Sequence, residues 1–224
     1  MKITSNTLVK HGMPFLDLVL RQAEPFMDEM IITLSINADM KTSGVIEKFR
    51  KEFESKAKVS YENVLEPKYL TSIRQAQLDE STGNWILFLD DDDYWPTESL
   101  TEIVKLLKED VDAYAVAPYH VVDKKHYEKQ WTHMGFTKWF RNQPGVHYEG
   151  DWPRDLIYKG EDMLYWKTNP RVKMLGTKFY HLQRIKEYSF RDHLFGGIFK
   201  QKESALLEFG KEHRKDLKKI YGYK

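Results

Sequence analysis

Five apolar residues, Trp85-Ile86-Leu87-Phe88-Leu89, run directly into four consecutive aspartates, Asp90-Asp91-Asp92-Asp93. An apolar run this short, entered through the turn-forming Thr82-Gly83-Asn84, reads as a strand buried on both faces. Such strands belong to sheets covered by helices, and the preceding residues supply them. Residues 2–9 read as a short strand. Pro14 opens a helix with Phe15, Leu18, Val19 and Ala23 at helical spacing, stopped by Pro25. Residues 30–34 form a second buried run, and Thr42 or Ser43 caps a helix carrying Val45, Ile46, Phe49 and Phe53. Residues 58–64 and 67–80 then read as strand and helix. This β-α-β-α-β-α-β order predicts an α/β domain with a mostly parallel central sheet flanked by helices.

Beyond the aspartates, Pro96, Thr97 and Ser99 start a helix with Leu100, Ile103, Val104 and Leu107 on one face, and residues 113–122 read as another strand. Periodicity does not decide residues 123–180, which are rich in Trp, Tyr, His, Gly and Pro. Residues 183–224 are helix-like, with eight Lys or Arg against four acids from residue 200 onward.

The near balance of 35 basic and 34 acidic side chains conceals a division. Residues 1–110 hold 13 basic and 20 acidic groups, whereas residues 111–224 hold 22 and 14, with 21 of the 31 aromatics. With no cysteine, a disulfide scaffold, a thiolate metal site and a cysteine nucleophile are excluded. Chemistry must rest on carboxylates, histidines, hydroxyls or a hard metal. No apolar run reaches the roughly 18 to 20 residues that span a bilayer, and the first residues lack a secretory apolar region. The expected setting is cytoplasmic.

In open α/β sheets ligands bind beyond the carboxyl ends of the strands, which is where Asp90–Asp93 lie. If the backbone stays extended, Asp90 and Asp92 converge on one ligand while Asp91 and Asp93 face elsewhere. Clustered carboxylates raise one another's pKa unless a cation neutralises them. Oxygen ligation favours Mg²⁺ or Mn²⁺, which commonly bridge to phosphates.

Arg74-Gln75-Ala76-Gln77-Leu78, followed by Ser81-Thr82-Gly83-Asn84-Trp85 and the run to Asp93, resembles the central segment of family 2 glycosyltransferases with the GT-A fold. The resemblance implies that Asp90 and Asp92 are the Asp-x-Asp pair holding a divalent metal on a sugar-nucleotide diphosphate. It sets Asp91 on the donor side and Arg74 near the diphosphate, where a guanidinium is chemically suited. Val9-Lys10-His11-Gly12-Met13-Pro14-Phe15-Leu16 is similar to the family's first strand end, so Val9 and Lys10 are expected to line the nucleotide base. After the second strand the family usually carries Asp and then Gly-Ser-Thr-Asp. Here the chain reads Ser35-Ile36-Asn37-Ala38-Asp39, leaving Ser35 or Asp39 as the substitute and the nucleotide open, with UDP the first expectation.

On the second side, Gly160-Glu161-Asp162 resembles the acceptor-side segment of such enzymes, where an acid deprotonates the acceptor hydroxyl; Asp162 is the first candidate and Glu161 the second. Read without the resemblance, the same three residues can open a helix with an acidic first turn. His181 matches a late histidine that completes the metal or diphosphate site. Residues 138–150 resemble a segment that usually ends in His-Glu. Here Asp151-Trp152-Pro153-Arg154-Asp155 follows, implying a remodelled acceptor site with Trp152 able to stack on a sugar or base, and with Arg154 and Arg141 on the acceptor side. The implied organisation is one GT-A domain over residues 1–182, split into a nucleotide-sugar half (1–95) and an acceptor half (96–182), followed by a basic helical extension over residues 183–224.

The function expected is a Mn²⁺- or Mg²⁺-dependent transfer of a sugar from a nucleoside-diphosphate sugar to an acceptor hydroxyl, by a single inverting displacement with Asp162 as base. The acceptor is a glycan, a lipid-linked sugar or a modified nucleic-acid base, and the oligomeric state stays open. Two other classes compete. Metal-dependent nucleotidyl transfer or phosphodiester cleavage also suits clustered acids, although the Thr-Gly-Asn-Trp lead-in and the lack of a P-loop pattern oppose it. The second is a non-catalytic module that binds a sugar or nucleic acid on the same fold.

Overall fold

The computed structural model describes residues 1–63, 67–129, 135–150, 156–182, 207–208 and 213–222. Trp152, Arg154 and most of the extension from residue 183 lie outside the described residues.

The first half follows the expected order. Strands β1 (Ile3–Val9), β2 (Glu29–Ser35), β3 (Ala57–Glu62) and β4 (Trp85–Phe88) lie parallel in the spatial order β3-β2-β1-β4, connected through helices α1 (Leu16–Ala23), α2 (Met40–Glu52) and α3 (Pro67–Glu80). Helix α2 begins earlier than expected. Asp39, not Thr42 or Ser43, is its cap, because one Asp39 carboxylate accepts both the Thr42 N–H (2.9 Å) and the Thr42 hydroxyl (2.7 Å).

The centre of this half is unusually polar, since Thr4, Ser5, Asn6 and Thr7 of β1 are all buried. Gln77 of α3 donates to the Thr7 carbonyl (2.9 Å) and to the Thr33 hydroxyl (3.0 Å), and the Ser81 hydroxyl bonds Asn6 (3.1 Å). Directional bonds of this kind fix helix against sheet more narrowly than apolar contact does, and so fix Arg74 one turn before Gln77. Glycine is required at residue 83, where a Cβ would stand 2.6 Å from the Thr4 hydroxyl and 2.7 Å from the Thr4 nitrogen.

Beyond β4 antiparallel pairing enters. Strand β8 (Phe136–Arg141) lies antiparallel between β4 and β6 (Ala113–Val121), and β12 (Val172–His181) runs parallel to β6 on its other edge. A two-residue strand, β5 (Asp93–Tyr94), pairs with the end of β12, while β7 (His126–Lys129) and β13 (Leu207–Glu208) complete what is, among the described residues, a 10-stranded sheet. Helix α4 (Thr97–Leu106) buries Leu100 and Ile103 as its spacing predicts. A separate three-stranded sheet joins β9 (Val146–Glu149), β10 (Leu156–Lys159) and β11 (Asp162–Met163). Its strands are two to four residues long, too short for alternation to mark them.

The last helix, α5 (Arg214–Gly222), inserts Leu217 and Ile220 into the same core as Trp95, Phe179 and Leu182. Among the described residues, no helix is long and apolar enough to cross a membrane.

Candidate active site

The aspartates sit where β4 ends, but not on extended backbone. The Asp93 N–H bonds the Asp90 carbonyl (3.1 Å), closing a turn, and the N–H of Leu182, just past β12, bonds the Asp92 carbonyl (2.8 Å). The alternation expected of Asp90–Asp93 therefore does not apply. Asp93, expected to face away, points into the cluster and has no exposed surface, while Asp91 and Asp92 are also buried.

Asp92, Asp93 and His181 bring ligand atoms within 4.8 Å of one another. His181 Nδ1 lies 2.9 Å from Asp93 and 3.5 Å from Asp92. Because an ionised carboxylate only accepts, Nδ1 carries the proton in the shorter contact. Burial works to lower the His181 pKa, but the adjoining Asp92 and Asp93 charges outweigh it and raise it to about 9. His120 stands beside His181 in register on β6, with ring centroids 5.2 Å apart.

Asp90 is held differently. Lys138 Nζ lies 2.7 Å from Asp90 and 2.5 Å from Asp93, and the Arg74 guanidinium is 3.3 Å from Asp90. Burial would raise the Asp90 pKa, but Lys138 and Arg74 hold it well below the usual carboxylate range. For Lys138, burial pulls the pKa down and the two carboxylates overcome it, so the net direction is upward. Both cations rest on Phe88, Arg74 at 3.7 Å and Lys138 at 4.5 Å from the ring centroid.

Lys138 and Asp93 are the two site residues the sequence reading did not assign. Lys138 is reached by a bulge: pairing of β8 with β6 shifts between Tyr114 and Ala115, leaving Lys138 as the extra residue. Bulges re-aim a side chain out of strand alternation. The available signal was one lysine among Phe136, Trp139 and Phe140, opposite four acids.

Two buried carboxylates and an imidazole form a donor set suited to Mn²⁺ or Mg²⁺. This set contains Asp92 and His181 but has Asp93 where the sequence reading has Asp90. Val9 and Lys10 lie at the end of β1, with Val9 buried and the Lys10 pKa lowered by burial. Ser35 ends β2 and accepts the Asn37 N–H (3.3 Å), and Asp39 both caps α2 and approaches His11 (3.4 Å). All four are at the carboxyl edge shared with Asp90.

Arg141 is not brought to this edge. It pairs with Trp85 at the opposite end of β4, donating to the carbonyls of Val111 and Glu109 (2.6 Å each). Glu161 and Asp162 are exposed on the β10–β11 hairpin, whose turn uses Gly160 at φ +60°. The segment is thus a hairpin rather than a helix start, and it lies at the Arg141 end of the sheet: Lys159, the partner of Asp162, bonds Asp112 (3.1 Å), whose carbonyl takes the Arg141 N–H (2.8 Å).

A family model described as "Glycosyl transferase family 2" matches residues 15–181. Among solved structures, residues 1–349 of S. aureus TarS are similar at 19% identity with a TM-score of 0.57, covering 82% of this chain and 61% of that one. The same TarS segment in complex with UDP gives 20%, 0.55, 81% and 60%. GalNAc-T7 with UDP, GalNAc and Mn²⁺ gives 9%, 0.56, 84% and 45%. This chain spans about three-fifths of the TarS segment and 37% of the longer TarS chain. No curated protein sequence matches it. The likeness establishes the GT-A fold.

Proposed function

The chain belongs to glycosyl transferase family 2, and from that we propose that it moves a sugar from a nucleoside-diphosphate sugar to an acceptor hydroxyl, with the acidic turn as the donor site. The observation that carries this reading is the meeting of Asp92, Asp93 and His181 within 4.8 Å at the carboxyl end of β4. UDP is the first donor nucleotide to test, since TarS and GalNAc-T7 are each recorded with UDP, the second also with Mn²⁺.

Asp92, Asp93 and His181 would hold Mn²⁺ or Mg²⁺, which as a Lewis acid neutralises charge developing on a departing diphosphate. Asp90 serves the donor side, bonded by Lys138 and Arg74 and outside the group whose ligand atoms lie within 4.8 Å. Arg74 is buried and held in place by Phe88, so its guanidinium is pre-oriented at the turn where a diphosphate would lie. Val9, Lys10, Ser35 and Asp39 line the base and ribose side, with Asp91 beside them at the turn. By resemblance we keep Asp162 as the base toward the acceptor hydroxyl and Glu161 as the second candidate; their hairpin lies at the Arg141 end rather than at the acidic turn, so the role requires the hairpin to approach the donor site. The displacement proposed with such a base is a single one with inversion at the anomeric carbon.

The acceptor is a glycan, a lipid-linked sugar or a modified nucleic-acid base, with Trp152 and Arg154 as contacts and a cytoplasmic setting as part of the same reading. A thermal-shift and hydrolysis screen of UDP-, GDP- and dTDP-sugars, with and without Mn²⁺, tests the proposal. Metal-dependent stabilisation by one nucleotide class is expected, and none with any donor would overturn it.

A further inference from the structure

The strand that delivers His181 is held at its end by short stretches of pairing on both edges. Strand β5 offers β12 only two residue pairs, Tyr180 with Tyr94 and His181 with Asp93. On the other edge the pairing of β12 with β6 is irregular between Leu175 and Phe179, so its last three pairs are set anew after a break. Adjacent residues of a strand point to opposite faces, and a slip of one position would exchange Tyr180 for His181 at the site.

Opposite His181, Tyr180 is fully buried and its hydroxyl meets α5 and the residue before it. Tyr180 donates to Asp216 (3.0 Å), and His213 Nδ1 lies 2.5 Å from the same hydroxyl. With one hydroxyl proton directed to Asp216, the oxygen accepts from His213 Nδ1–H. Lys178 Nζ lies 3.3 Å from Asp216, and the rings of Tyr119 and Tyr127 stand 5.2 and 5.1 Å from His213. His213 and Asp216 are themselves buried, so this chain of bonds would be costly to break.

We propose that Tyr180, His213 and Asp216 form a latch by which the C-terminal helix fixes the register and facing of β12, making them positioning residues for His181 against Asp93. The metal part of the consequence rests on the function proposed above. The register part does not.

The test uses the full chain without metal and then with Mn²⁺. The Nδ1–H proton resonance of His181, identified by its loss in His181→Gln, reports the bond to Asp93. Tyr180→Phe keeps the ring and removes both latch bonds, and His213→Gln removes the imidazole that donates to Tyr180 and meets the Tyr119 and Tyr127 rings. Ile220→Val trims α5 packing without touching the polar chain, as a control for stability. In Tyr180→Phe the His181 proton is expected to broaden and exchange with water at least about tenfold faster, with a smaller change in His213→Gln and none in Ile220→Val. Mn²⁺ affinity is expected to fall about tenfold in Tyr180→Phe, the usual scale for groups that orient a metal ligand. An unchanged His181 proton in Tyr180→Phe overturns the latch, as does an equal loss in Ile220→Val. If the parent chain binds no Mn²⁺, the metal reading fails while the proton resonance still decides the latch.

Discussion

Lys138 reaches Asp93 across the sheet at 2.5 Å, at a point where Asp93 has no exposed surface and Lys138 almost none. A charge pair this deep adds little net stability as a pair, but removing one partner strands the other. Lys138→Met is therefore expected to lower stability by about 3–5 kcal/mol in urea unfolding. Added Mn²⁺ should recover part of the loss by supplying the missing positive charge. Stability within about 1 kcal/mol of the parent would show that the aspartates do not depend on Lys138.

Asp92 and Asp90 should respond differently to the same isosteric change. Asp92→Asn removes a member of the proposed metal set, so Mn²⁺ binding by calorimetry should be lost and turnover should fall about 10²–10³-fold. Asp90→Asn leaves Lys138 and Arg74 with weaker partners and should raise the donor KM while retaining Mn²⁺ binding. Equal loss of Mn²⁺ in both would return Asp90 to the metal set.

Asp162→Asn keeps the shape of an exposed hairpin position and removes the proposed base. Transfer kcat should fall about 10²–10⁴-fold with donor affinity unchanged. Full activity in Asp162→Asn together with loss in Glu161→Gln would move the base by one residue.

Glu29 offers a pH test away from the site. Burial works to raise its pKa, but bonds from Thr82, Thr4 and Lys58 bring it down to about 2 from 4.5. A depressed folded-state pKa contributes stability above the unfolded value and loses it as pH falls through the folded one. About 3 kcal/mol should thus disappear between pH 4.5 and about 2. Melting followed against pH should show a shallower slope over that window in Glu29→Gln than in the parent.

Arg141→Met should act on the fold alone. Losing charged donors to two carbonyls is expected to cost about 2–3 kcal/mol, with donor and metal affinity unchanged. A raised acceptor KM without loss of stability would restore Arg141 to the acceptor side.

The alternation of apolar runs, the turn at Thr82-Gly83-Asn84 and the four aspartates after Leu89 were enough to read the parallel half of the sheet and the edge that carries the site. Those signals are local, since a strand buried on both faces and a helix with one apolar stripe mark themselves in consecutive residues. Which partners the aspartates meet individually was decided in three dimensions. A turn closed by the Asp93 N–H replaced the extended backbone on which alternation depends, and so brought Asp93 rather than Asp90 to His181. The lysine that balances them comes from residue 138, aimed by a bulge in the pairing of β8 with β6, while the other edge of β8 pairs with β4. The same holds for His213 and Asp216, whose meeting with Tyr180 spans more than thirty residues of chain. Sequence periodicity records which side of an element is buried, whereas the partner that a buried charge meets is set by how distant strands register.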